Sequence, residues 1–135
     1  MLVKIASIGL IFLFSLVIIF HVLVLTGIIN YNIIWGGRIT NQSEMYVFEA
    51  ISLSTNILFM FIVLLKTGLL KIKIPTKVIN IGIWIMTILF TLNTVGNLVS
   101  TNNLEKAIFT PLTFISAILC LILALNKSKI ENNYN

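Results

Sequence analysis

A chain of 135 residues with 59% hydrophobic and only 10% charged residues reaches a mean hydropathy of +1.09. Soluble domains carry about 25% charged residues, so this composition excludes a soluble globular domain, a disordered chain and a disulfide scaffold. The net charge of +5 is not a nucleic-acid signal either, because the lysines lie in short segments between apolar runs, where charge sets membrane orientation. The chain holds 25 Ile, 13 Asn and 8 Lys against one Arg and no Asp, a bias that an AT-rich bacterial genome would produce.

A membrane-spanning helix needs about 20 mostly apolar residues. Four runs reach that length. The first, Ile5 to Ile29, is too long for a signal-peptide core and lacks a small-x-small cleavage site close behind it; it reads as a retained first helix. Loop 1, about Asn30 to Glu44, carries Trp35-Gly36-Gly37-Arg38. The second run is Met45 to Leu65. Loop 2 follows with Gly68 and Pro75, both chain-turning residues. The third run is Val78 to Val99 and ends in a polar turn, Ser100 to Lys106. The fourth is Ala107 to Leu125, with a polar tail from Asn126. Helices are expected because a bilayer offers backbone groups no water to bond, and the runs lack the alternating polarity of barrel strands.

Lysine placement predicts orientation. With the N-terminus inside, the inner segments hold Lys4, Lys66, Lys71, Lys73, Lys77, Lys127 and Lys129, and the outer loops hold only Arg38 and Lys106. The positive-inside rule then places both termini in the cytoplasm. Tyr31, Trp35 and Tyr46 would form the outer aromatic belt. The expected fold is all-α: an integral up-down-up-down four-helix bundle in the cell membrane, a single transmembrane domain over residues 1–135.

Polar residues gather toward one side of that layout. The outer halves of the runs hold His21 and Thr26; Glu49, Ser52, Thr55 and Asn56; Asn93, Thr94 and Asn97; and Thr110, Thr113 and Ser116. The inner halves are nearly all aliphatic or aromatic. Glu49, Ser52 and Asn56 share one face of helix 2, and Asn93, Asn97 and Ser100 share one face of helix 3. Gly96 beside the latter face would allow close backbone approach. At about 1.5 Å per residue, Glu49 would lie roughly 6 Å and His21 roughly 12 Å below the outer helix ends, lining one cavity at different depths.

An ionised carboxylate at mid-membrane costs about 2.5–3.5 kcal/mol on insertion scales, so Glu49 must be protonated, paired or wetted. His21 and Arg38 are the available cations. The competing reading for each polar residue is structural: a buried ion pair for Glu49, a histidine bonded to a neighbouring helix, and interhelical amide bonds for Asn93 and Asn97. One His and one Cys make no metal site, and no cofactor is expected. The H-E-x-x-H, G-x-S-x-G, P-loop and C-x-x-C patterns are absent, so no catalytic residue is named; membrane-embedded chemistry with Glu49 as acid or base stays open as the less favoured reading, without a second catalytic group.

The strings WGGR (35–38), EMYVFE (44–49) and NTVGN (93–97) resemble those of small bacterial four-helix membrane proteins with no assigned function. The resemblance would span most of the chain. It implies a multi-pass envelope protein and supplies no activity. The layout is also similar to the sterol-isomerase and sigma-2-receptor-like four-helix fold, which has an acidic residue near the start of helix 2 and a polar cavity in the bundle. This chain has no acidic residue in helix 1, where that family's catalytic pattern expects one, and no residue role is carried over.

Three functions compete. The first is binding of a small amphiphile or lipid in an outward-facing cavity lined by His21, Arg38, Glu49, Ser52, Asn56, Asn93 and Asn97. The second is an accessory or structural subunit of a membrane complex, as a homo-oligomer or beside another membrane protein. The third is a proton-coupled transporter or channel subunit, gated by Glu49 or His21. The expected partners are the lipid bilayer and such a ligand, not nucleic acid.

Overall fold

A computed structural model describes residues 1–31, 39, 41–101, 103 and 105–126. It is all-helical, with α1 (Leu2–Leu25), α2 (Gln42–Lys66), α3 (Thr76–Val99) and α4 (Thr110–Leu125). Residues Glu105–Phe109 form a π-helical segment leading into α4. α1, α2, α3, and α4 together with the π segment before it (Lys106–Leu125), are each long and apolar enough to cross a membrane.

The helix ends differ from the apolar runs for local reasons. Gly27 adopts φ 76, a left-handed conformation that glycine enters at low cost. Ile28 and Ile29 then both donate back to the Leu23 carbonyl, at 3.0 and 3.1 Å, which closes α1 at Leu25 instead of Ile29. In α2 the Asn41 side chain accepts from the Glu44 backbone N–H at 2.9 Å. This N-cap satisfies an orphan donor and starts the helix at Gln42, three residues before the apolar run. Pro75, with φ −55, precedes α3. Pro111 opens α4. It has no N–H, and its ring clashes with the carbonyl four residues back. The widened π turn immediately before it accommodates that lost bond.

Consecutive helices run antiparallel. The end of α1 meets the start of α2 at His21 and Glu49. The end of α2 meets the start of α3 at Lys66 and Asn80. The end of α3 meets the start of α4 at Thr94 and Thr113. One end of the bundle therefore carries the start of α1 and the close of α4; we call it the termini end, and the opposite one the distal end.

The main core fills the half nearer the termini end. Ala6, Leu10 and Phe14 of α1 meet Val63 of α2, Ile83 and Met86 of α3, and Cys120 and Leu123 of α4. Phe14, Phe59 and Phe90 pack ring to ring, with centroids 5.6 to 6.1 Å apart. Small residues bring helices together at Gly9, against Leu119, and Gly82, against Ile62. The close approach expected at Gly96 does not occur, because that position faces open space. Core residues included, only 11% to 33% of the apolar 18-residue window of each candidate span is buried. Large apolar side chains such as Phe12, Ile19, Ile57, Ile88 and Ile118 are exposed on every helix. A surface so continuously apolar is rare on soluble monomers and compatible with a membrane protein.

Candidate functional site

The strongest chemical feature is a buried pair of ionisable groups. His21 Nδ1 lies 2.5 Å from Glu49 Oε2. The Glu49 side chain is fully buried, and His21 is 8% exposed. His21 is four residues from Leu25, so about 6 Å from the helix end, not the 12 Å that a helix to Ile29 would give. Glu49 is seven residues into α2, about 10 Å from its start. Counted from their helix ends the two still differ by about 4 Å, yet they bond directly, where lining one cavity at different depths was expected.

Aromatic and aliphatic groups enclose the pair. The Phe20 ring meets the His21 ring edge-on with centroids 5.7 Å apart and touches Phe109 of the π segment at 6.3 Å. One helical turn outward, Val24, Ile39 and Met45 form a second buried cluster, with Phe20, Leu25, Ile29 and Tyr31 packed against it. A low-dielectric surround strengthens the interaction between paired groups.

Above that cluster opens a cavity of about 340 Å³ at the distal end. Val24, Leu25 and Met45 supply its apolar floor. Thr26, Asn30, Tyr31, Gln42 and Tyr46 give it hydroxyl and amide groups. Gln42 Nε2 donates to Tyr46 Oη at 2.9 Å, so one wall is already ordered. Val24 is three residues from His21, and Met45 four from Glu49, so the cavity stands one turn above the pair on the same faces.

The remaining candidates are distributed otherwise. Ser52 is half-buried on α2. Asn56 donates to the Ser52 carbonyl at 2.8 Å within its own helix. Asn97 approaches Thr113 Oγ1 at 3.5 Å, and the Thr94 and Thr113 hydroxyls lie 3.0 Å apart. Thr94 is buried, whereas Asn93 is exposed. The α3 polar face that meets α4 is thus centred on Thr94 and Asn97. The polar groups form two sets, one between α1 and α2 and one between α3 and α4. Arg38 and its neighbours Trp35, Gly36 and Gly37 lie outside the described residues. Among the described residues, no three of His, Cys, Asp and Glu gather as a metal site.

The termini end holds a feature that the apolar pattern concealed. Lys66, read as a loop lysine, is 3% exposed. Its Nζ donates to Asn80 Oδ1 at 2.6 Å and to the Asn126 carbonyl at 2.8 Å. The available signal was Asn80, the one amide in the first half of α3. The chain matches no protein-family model, and comparisons with curated proteins and with solved structures found no match.

Proposed function

We propose that the chain is a multi-pass protein of the cell membrane, with both termini cytoplasmic, that binds a small amphiphile or lipid in the cavity at its distal end. The observation that carries this reading is the placing of an open, partly polar cavity one turn above the buried His21–Glu49 pair. Ligand pockets combine an apolar wall with a few convergent polar groups, and the Gln42–Tyr46 wall over a Val24–Met45 floor has that form. A polar headgroup would bond Gln42, Tyr46 and Tyr31. The pair below would hold α1 against α2 and so preserve the cavity's shape. Lysine placement supports the orientation, since the termini end carries most of the positive charge.

The test is native mass spectrometry of protein extracted in mild detergent, with Glu49→Gln and Gln42→Leu alongside. A discrete small-molecule adduct, weakened in both variants at unchanged helicity, is expected. No adduct on the native protein, or one retained by both variants, would overturn the reading.

One observation favours a second reading, a structural or accessory subunit. Glu49 is wholly enclosed between helices, which suits a clip that aligns α1 with α2 for a partner. That reading predicts lost assembly in Glu49→Gln with no ligand adduct in any form.

A further inference from the structure

The connection between α2 and α3 combines fixed ends, exposed lysines and exposed aliphatic side chains. Its start is anchored where buried Lys66 bonds Asn80 and the Asn126 carbonyl. Gly68, with φ 73, turns the chain out of α2, and Leu69 and Leu70 both donate back to the Leu64 carbonyl. Residues 71–75 then run without regular structure to Pro75. Lys71, Lys73 and Lys77 are all exposed. Between them and beside them, Leu69 is 65% and Ile72 49% exposed.

Among the described residues, the charge around this connection has one sign. No acidic residue occurs between Glu49 and Glu105 in the sequence. The acids among the described residues, Glu44, Glu49 and Glu105, belong to the distal end, while Lys4 adds a further exposed cation at the termini end. A segment with aliphatic side chains and lysines interleaved matches the boundary of a bilayer. The aliphatic groups enter the acyl region, and the lysine stems extend so that the amines reach phosphates. Cationic juxtamembrane segments attract anionic lipid in this way.

We infer that the α2–α3 connection is a binding surface for anionic phospholipid, with Lys71, Lys73 and Lys77 contacting the phosphate headgroups and Leu69 and Ile72 seated among the acyl chains. The surface is separate from the distal cavity and requires only that the helices lie in a bilayer. Its anchored ends matter, because a connection tethered by Lys66 presents its amines together.

The experiment titrates detergent-solubilised protein with phosphatidylglycerol or with phosphatidylcholine of the same acyl chains and counts bound lipid by native mass spectrometry. Two variants carry the same change in net charge: the double variant Lys71→Gln with Lys73→Gln, and Lys106→Glu at the distal end. Circular dichroism checks their helicity. The native protein should prefer phosphatidylglycerol by about tenfold or more, and the double variant should lose most of that preference. Lys106→Glu should keep it. Added salt should reduce it, as screening requires. Equal binding of the two lipids by the native protein would overturn the inference. So would an equal loss in Lys106→Glu, which would mean that net charge alone attracts the lipid. Displacement of the lipid by soluble glycerol phosphate would also overturn it, in favour of a headgroup site without an acyl contribution.

Discussion

Helix α2 buries a charged residue near each of its ends, and the two are held in different ways. Glu49 faces an ionisable partner, His21, on the preceding helix. Lys66 donates to a neutral amide on α3 and a backbone carbonyl at the close of α4. They stand 17 residues apart, so about 25 Å along the helix axis, close to the roughly 30 Å hydrocarbon thickness of a bilayer. Each would therefore lie near one boundary of such a layer. The lysine ties α2 to α3 and to the close of α4, which is a clamp. Glu49 ties two helices by meeting an imidazole, and it does so under an open cavity. The difference sets a clamp across three helices at one end against a two-helix pair beneath a cavity at the other.

The sharpest way to break this contrast is to remove Glu49. Leaving one member of a buried pair uncompensated costs about 3–5 kcal/mol, so Glu49→Ala should unfold far earlier in an SDS titration followed by circular dichroism. Lys66→Met should cost less, about 1–2 kcal/mol in the same titration, because losing hydrogen bonds at Asn80 and Asn126 is partly offset by no longer burying an ammonium. If Lys66→Met proves the more damaging, the ranking of the two ends is inverted. Next is Gln42→Leu, which should lower adduct occupancy several-fold at constant ligand and leave the unfolding midpoint nearly unchanged. The smallest effect is expected at Thr113→Val. The hydroxyl it removes meets Thr94 and Asn97 across the interface and the Phe109 and Thr110 carbonyls on its own chain segment, and interhelical bonds of this kind average about 0.6 kcal/mol in a membrane protein. A loss several times larger would mean that α3 and α4 depend on their polar contacts as strongly as α1 and α2 do.

Much of this architecture was legible in the residue order. The four apolar runs correspond to the four helices, because a helix of that length and composition needs no detail beyond its own hydropathy. Their ends were less legible. Ile28 and Ile29 are apolar, so hydropathy continues α1 past the point where Gly27 turns the backbone. That single turn sets His21 about 6 Å from the end of its helix instead of about 12 Å. Glu49 and His21 stood out because ionisable groups in apolar helices are few. Asn93 and Thr94 show the converse difficulty. Neighbouring residues point about 100° apart on a helix, and a polar residue on each leaves open which one faces α4. Lys66 followed the last apolar residue of its run and so looked like part of a loop. Only the meeting of α2, α3 and α4 brings Asn80 and Asn126 to it.

The Lys66 clamp also bears on the order in which the chain can be completed. Its carbonyl acceptor lies 60 residues further along. At a synthesis rate of about 5–20 residues per second, that interval is about 3–12 s. Asn80 arrives well within it, so α2 and α3 can pair early, while α4 closes the termini end last. A pause in synthesis ahead of Asn126 would hold the amine away from its carbonyl and keep that end of the bundle open to chaperones or proteases.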